Sequence, residues 1–372
     1  MEFDLKSLDR DWVEGISGQE LLARVQCRAK SIQGHDELIV IDRIDPHDFT
    51  VELFAAILVG RSIALANPNW GAQERKQFDA LIGRGVAPVD SRSSVANYPS
   101  AFRQNQVILV PTGGTTNGIK LAIHTWKTLE AACKGVQQFL GGAIINSCCV
   151  LPLYHVSGLI QLLRAYHSGG YIRFGEDEVE DCCLSYVPTQ LSRALSDEKR
   201  IQALSTTRVI FVGGAPMHES LAKEARKLKL PVMPVYGMTE TAAMVAAIPV
   251  ADFLTDSRIG ALPIGDAKIE IDSSGRICIQ SPALFKGYYG REALDLTRGY
   301  LSGDEGYIDE NERLHVTGRI DRLVISGGEK IDPYEVEDAG GAISGIEEVL
   351  AVGLPDVEWG QKLVVYYTGQ EL

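Results

Sequence analysis

No run among the 372 residues approaches the roughly 18 uninterrupted apolar residues of a membrane-spanning helix. The opening Met1-Glu2-Phe3-Asp4-Leu5-Lys6 also lacks the basic stretch and apolar core of a secretory leader. Positive charge is in deficit. Forty-nine acidic residues against 36 Lys and Arg give a formal net charge of −13, which argues against general nucleic-acid binding and against a polybasic membrane-surface role. An anionic substrate must therefore meet local cations. The seven cysteines (Cys27, Cys133, Cys148, Cys149, Cys182, Cys183 and Cys278) form an odd set without any Cys-x-x-Cys, which speaks against a disulfide framework or a zinc ribbon. The adjacent pairs sit in apolar runs and read as small buried hydrophobes. No internal repeat or low-complexity tract is present, and nothing calls for a Ser-His-Asp nucleophile. These absences leave the expectation of a cytoplasmic globular protein with two or three domains.

What is present is an alternation of strand-like and helical segments. Ser17 to Glu20 reads as a capping box ahead of Leu21, Leu22 and Val25 on one helical face. Strands are expected at 37–44, 62–66, 148–153, 184–187 and 208–212, and helices at 48–58, 72–82, 126–140, 158–166, 189–195 and 219–228. Strands separated by helices imply βαβ units around a mainly parallel sheet, with ligands beyond the carboxyl ends of the strands. The fold class is thus α/β through residue 258. After about Ile259 the texture changes: 268–271 with 276–280, and 306–309 with 314–317, have the pattern of β-hairpins, so 259–320 is expected to form a β-rich subdomain.

Val107 to Lys120 organises the rest. A β-branched run opens into small and hydroxyl-bearing residues and ends on a lysine. Gly113, Gly114 and Gly118 let backbone N–H groups turn toward one anion, Thr112, Thr115 and Thr116 add hydroxyl donors, and Lys120 supplies compensating charge. The same composition also suits a plain hairpin turn. A Walker A loop does not fit, because Gly118 is followed by Ile119 rather than directly by Lys and Ser or Thr.

Further along stand Pro152-Leu153-Tyr154-His155-Val156-Ser157-Gly158, Val187-Pro188-Thr189-Gln190-Leu191, Gly213-Gly214-Ala215-Pro216, Tyr236-Gly237-Met238-Thr239-Glu240, Ser302-Gly303-Asp304, and Thr317-Gly318-Arg319-Ile320-Asp321. In this order, behind the glycine- and threonine-rich loop, they resemble the motifs of the adenylate-forming superfamily of acyl- and aryl-CoA synthetases, adenylation domains and luciferases. The resemblance implies ATP, Mg²⁺ and CoA as cofactors and substrates, with homodimers common among its members. Lys120 and the loop, including Thr112 to Thr116, would hold phosphate; Gly213, Gly214 and Ala215 would approach nucleotide and acyl group. Tyr236 and Gly237 would lie at adenine, Thr239 at the α-phosphate, Glu240 at magnesium, and Asp304 and Arg319 at ribose. His155, Ser157, Thr189 and Gln190, with Gly214, would line the acyl pocket. Ala122-Ile123-His124-Thr125-Trp126 and Val187 to Leu191 further resemble the 2-succinylbenzoate–CoA ligase branch of menaquinone and phylloquinone synthesis.

Asp321 matches the hinge of the superfamily, so 321–372 is expected to be a small, incomplete α+β domain. No lysine in the expected late Pro-x-x-Gly-Lys context follows it; the last is Lys362. Impaired adenylation is the corresponding expectation. Two other readings share the motifs: an enzyme that loads a carrier protein, and a non-catalytic acyl-adenylate-binding protein. A P-loop hydrolase is a third, and would split ATP without any carboxylate.

Overall fold

The computed structural model describes residues 4–34, 38–83, 106–113, 118–255 and 259–320, and residues 324–369 apart from 327–328, 332, 342, 344 and 358. Asp321 and the loop residues Gly114, Thr115 and Thr116 lie outside the described residues.

The first third packs helices α1 (Gly18–Ile32), α2 (Pro46–Leu58) and α3 (Ala72–Leu81) around a four-stranded sheet. Its strands are β1 (Ile39–Ile41), β2 (Ile63–Leu65), β3 (Ile108–Thr112) and β4 (Lys120–His124), in that order. Local chemistry sets the helix starts. Ser17 accepts from the Glu20 N–H, and Asp45 accepts from the Asp48 N–H ahead of Pro46 at the first helical turn. β1, β2 and β3 are parallel, whereas β3 and β4 form an antiparallel hairpin. The glycine-rich segment therefore connects two antiparallel strands.

Helix α4 (Trp126–Phe139) leaves β4 through a capping box between Thr125 and Thr128. A second sheet follows, built from β5 (Ser147–Cys149), β6 (Ile172–Phe174), β7 (Cys183–Tyr186), β8 (Val209–Val212), β9 (Val232–Met238), β10 (Ala243–Ala247) and β11 (Leu262–Pro263). The interleaved helices are α5 (Val156–Ser168), α6 (Pro188–Ala194), α7 (Glu198–Ser205), α8 (Glu219–Lys227) and α9 (Val250–Thr255). The order is β11-β10-β9-β8-β7-β5-β6, parallel from β6 to β9 and antiparallel beyond. The expected parallel core is present, with an antiparallel edge that the helix–strand alternation does not announce. Trp12, Phe54, Trp126 and Tyr166 meet at ring-centroid separations of 5.0–6.5 Å and tie the first third to α4 and α5. Cys148, Cys149, Cys182 and Cys183 are buried in this body, as their apolar surroundings predict.

Both hairpins foreseen after residue 259 form, within an antiparallel meander of β12 (Lys268–Ile271), β13 (Arg276–Gln280), β14 (Tyr300–Ile308) and β15 (Leu314–Arg319). A final sheet, β17-β16-β19-β18, joins β16 (Val324–Ser326), β17 (Glu329–Ile331), β18 (Ile346–Asp356) and β19 (Gly360–Gly369), with α10 (Pro333–Gly341) packed on β18. Among the described residues no helix is long and apolar enough to cross a membrane.

Candidate active site

Several motifs stand at the carboxyl ends of parallel strands, with Thr112 ending β3, Val187 and Gly213 following β7 and β8, and Tyr236 near the end of β9, whereas Asp304 and Arg319 stand on the antiparallel meander. Thr112 pairs with Lys120 across the β3–β4 hairpin, and the flanking Gly113 and Gly118 hold φ of +72° and +70°, the left-handed region that glycine enters without strain. The Lys120 ammonium lies 5.4 Å from the centroid of the Tyr288 ring. Residues 286–289 run beside β4, joined by Lys286 N–H to Ile123 O, Ile123 N–H to Gly287 O and Tyr289 N–H to Leu121 O. Tyr288 is thereby held next to the lysine.

Glu240 sits on a single 3₁₀ turn, Thr239–Thr241, between β9 and β10. Gly237 is required just before it, because a Cβ there would lie 2.0 Å from the Ala243 carbonyl oxygen of β10. The turn is left through Ala242 and Ala243 at φ of +52° and +79°, a conformation that strains any residue with a Cβ. Surrounding contacts must hold it. The Phe285 N–H donates to the Glu240 carbonyl at 2.8 Å, and the Tyr288 hydroxyl donates to Glu240 Oε1 at 2.5 Å. Among the described residues no three His, Cys, Asp or Glu side chains cluster as a metal cage. A lone carboxylate with one oxygen that makes no hydrogen bond among the described residues suits Mg²⁺, a hard cation that takes one or two protein carboxylates and completes its shell with phosphates and water.

His124, which the sequence offers only as part of a motif, is fully buried behind the same turn. Its Nε2 meets the Thr239 carbonyl at 2.8 Å and its Nδ1 the Thr128 hydroxyl at 3.0 Å. Only a protonated Nε2 can serve a carbonyl, so Nε2–H is the neutral tautomer that fits. Burial lowers its pKa from 6.5 to about 4, partly opposed by the Thr239 hydrogen bond and assisted by Lys286. A pKa depressed in the fold means that the unfolded chain binds the extra proton: stability is whole above pH 6.5 and declines as pH falls toward 4, by at most ~3 kcal/mol for this group. His124→Gln, which retains an N–H donor but cannot titrate, is expected to lose less stability than wild type between pH 7 and pH 5. Urea unfolding midpoints at the two pH values measure this.

A second group gathers Tyr236, Asp304 and Arg319. The Tyr236 hydroxyl donates to Asp304 Oδ2 at 2.7 Å and Arg319 Nη1 donates to Oδ1 at 3.2 Å across β14 and β15. Burial, then the Asp304 charge, pushes the Tyr236 pKa up, so the phenol remains a donor. Asp304 is buried while Arg319 is half-exposed, and two hydrogen bonds leave the carboxylate with spare lone pairs.

The residues expected beside an acyl group follow the ends of β5, β7 and β8. A Cβ on Gly213 would lie 2.5 Å from Val235 Cγ2, and one on Gly214 would touch Val187 Cγ1 at 3.6 Å, so the loops after β8 and β7 are neighbours. Ala215 and Thr189 are exposed, and Gln190 Oε1 accepts from the Val187 N–H at 2.9 Å, fixing the start of α6. His155 precedes α5, exposed, with its ring 4.8 Å from that of Tyr154 and its pKa lowered by partial desolvation. Ser157 is half-buried in the first turn.

Below Ser157 lies a residue that motif reading passes over. Helix α5 is buried along Gly158–Tyr166, yet Ser157, Gln161 and Arg164 fall at i, i+4 and i+7, one polar line on an otherwise apolar helix. Arg164 is 2% exposed, its guanidinium 5.4 Å from the centre of the Phe211 ring at the end of β8. Its Nε has no hydrogen-bond partner among the described residues, nor does Gln161 Oε1. Burial lowers its pKa, and the groups opposing that shift are the Cys133 and Cys183 thiols rather than a carboxylate. A buried guanidinium without a counter-charge is a costly arrangement unless an anion is brought to it.

A separate cleft of about 520 Å³ is lined by Arg10, Asp11, Asn146, Tyr171, Asp181 and Arg208, among others. Its residues precede β5 to β8, at the amino ends of the strands, away from the motifs.

Comparison with known proteins agrees with this geometry. The AMP-binding enzyme family profile matches residues 83–289, more than half of the chain. Among curated proteins, 2-succinylbenzoate–CoA ligase of Enterococcus faecalis is 30% identical over 281 residues, covering 68% of this chain and 58% of that enzyme. The Lactococcus lactis ligase of the same name is 29% identical, covering 74% of this chain and 62% of its own length. The matches thus span less than two thirds of those two relatives. Among solved structures, o-succinylbenzoate CoA synthetase from Bacillus subtilis with its acyl-adenylate intermediate superposes with a TM-score of 0.80 at 23% identity, covering 97% of this chain and 85% of that one. The same enzyme with ATP and magnesium gives 0.79 at 22% identity, covering 97% and 86%. At these identities the superpositions establish the shared fold, and the extent of the profile match establishes descent: the chain belongs to the AMP-binding enzyme family.

Proposed function

We propose that this protein activates a carboxylate with ATP as an acyl-adenylate and passes the acyl group to CoA, and that the carboxylate is 2-succinylbenzoate. The reaction class is supported chiefly by one juxtaposition: Lys120 and Glu240 share Tyr288, and Tyr236, Asp304 and Arg319 form a polar group on the adjoining strands. In the first step a substrate carboxylate oxygen attacks the α-phosphorus of ATP and pyrophosphate leaves. In the second, the CoA thiolate attacks the acyl carbon and AMP leaves. Such chemistry gains mainly from positioning and charge neutralisation. Lys120, with Thr112 and Gly113 at the mouth of its loop, holds the terminal phosphates; Thr239 faces the α-phosphate; Asp304 accepts the ribose hydroxyls beside Arg319. Magnesium, when bound at Glu240, offsets phosphate charge.

The substrate reading rests on the relatives named above and on Arg164. A substrate with two carboxylates must bury the one that does not react, and Arg164 is a buried cation two turns along the helix that begins at the acyl motif, offset among the described residues by thiols rather than by a carboxylate. Incubation with ATP, Mg²⁺, CoA and 2-succinylbenzoate is expected to release AMP and pyrophosphate and to form 2-succinylbenzoyl-CoA, read by mass spectrometry. ADP formation independent of any carboxylate would overturn the reading.

A further inference from the structure

We propose that Tyr288 is a positioning residue: it fixes the Glu240 carboxylate and the Lys120 ammonium relative to each other, so that the metal and triphosphate end of the site is set before nucleotide enters. The inference rests on the reading of this cleft as a nucleotide site. Tyr288 belongs to none of the motifs and stands 48 residues beyond Glu240.

Three contacts carry it. The phenol donates to Glu240 Oε1 at 2.5 Å, and among the described residues no hydrogen bond engages Oε2. The ring lies under the Lys120 ammonium at 5.4 Å, with the Arg291 guanidinium 6.0 Å from the same ring. The Tyr300 hydroxyl is 3.2 Å from that of Tyr288. Because the single Tyr288 proton goes to the carboxylate, Tyr300 must donate to Tyr288, giving a one-way chain of donors that ends on Glu240.

The support is as rigid as the contact. Phe285 meets the Tyr288 ring edge-on at 4.9 Å and its N–H holds the Glu240 carbonyl at 2.8 Å. One short segment therefore grips Glu240 by main chain and side chain. That segment is bonded to β4, whose first residue is Lys120. Partners behind a metal-binding carboxylate commonly set its orientation, and their loss weakens metal affinity by roughly 10- to 100-fold.

Two substitutions separate the roles. Tyr288→Phe keeps the ring under Lys120 and removes the donor; Tyr288→Leu removes both. Equilibrium binding of ATP is titrated against Mg²⁺, and against Mn²⁺ with the free ion read by electron paramagnetic resonance. AMP affinity in EDTA and the thermal midpoint are measured on the same samples. Tyr288→Phe is expected to raise the half-saturating metal concentration about tenfold while AMP affinity and the midpoint stay near wild type. Tyr288→Leu is expected to weaken metal-free ATP in addition, but not AMP. A merely structural role would lower the midpoint and shift AMP and metal–ATP binding together. Metal–ATP binding by Tyr288→Phe equal to wild type overturns the inference alone; failure of the wild type to bind ATP and AMP overturns the nucleotide-site reading beneath it.

Discussion

Arg164→Met is expected to make the ligand-free protein more stable and nearly unable to hold a dicarboxylated acyl-adenylate. The two effects have one cause. In the free protein the guanidinium is buried against Phe211 and two thiols, and its Nε has no hydrogen-bond partner among the described residues. Replacing an uncompensated or poorly compensated buried charge by an apolar side chain of similar length is typically neutral or stabilising by about 1 to 4 kcal/mol. With 2-succinylbenzoate bound, the same guanidinium would carry a charge-assisted, two-pronged contact to the second carboxylate. Removing one partner of a buried ion pair costs about 3 to 5 kcal/mol, which is a loss of roughly 150- to 4,000-fold in affinity. Urea unfolding of the free variant and calorimetric titration with 2-succinylbenzoyl- and benzoyl-adenylate analogues read the two halves separately. The benzoyl analogue should change little. A destabilised variant that binds both analogues as wild type does would remove Arg164 from substrate recognition.

Glu240→Gln is expected to lower the rate of carboxylate-dependent pyrophosphate release by on the order of 10²-fold, the usual effect of deleting one preorganised charge-stabilising group. The amide is isosteric and its oxygen can still accept from Tyr288, so the 3₁₀ turn and its neighbours should survive. What disappears is the negative charge that draws magnesium. AMP binding in EDTA should accordingly stay within about threefold of wild type, the span that context gives any single contact. Single-turnover pyrophosphate release and AMP titration decide the matter; an unchanged rate would take Glu240 out of the reaction.

The sequence discloses parts of this site very unequally. Tyr236, Thr239 and Glu240 are readable because they are contiguous and stand on one strand end. The hairpins after residue 259 are readable because period-two alternation and turn residues are local signals. Tyr288 is not, since its meaning depends on contacts to Glu240 and Lys120, each reached only through tertiary pairing. His124 is further removed still, 115 residues from the carbonyl it holds. Arg164 leaves a trace that could have been followed. An arginine inside Leu159-Ile160-Gln161-Leu162-Leu163-Arg164-Ala165, seven positions after a serine in the acyl motif, is an apolar helix interrupted on one face, a pattern that polar burial explains better than solvent exposure. The antiparallel partners β4, β10 and β11 escaped because helix–strand alternation carries no information on strand direction at the edge of a sheet.

The most direct measurement is calorimetric titration of the wild-type protein with non-hydrolysable adenylate analogues bearing 2-succinylbenzoyl, benzoyl and acetyl groups. Measurable binding of all three with a preference of about 10²-fold or more for the 2-succinylbenzoyl compound is the predicted result, since only that ligand brings an anion to Arg164. Equal affinities would contradict the proposed substrate, and no binding of any analogue would contradict the adenylate-forming account itself.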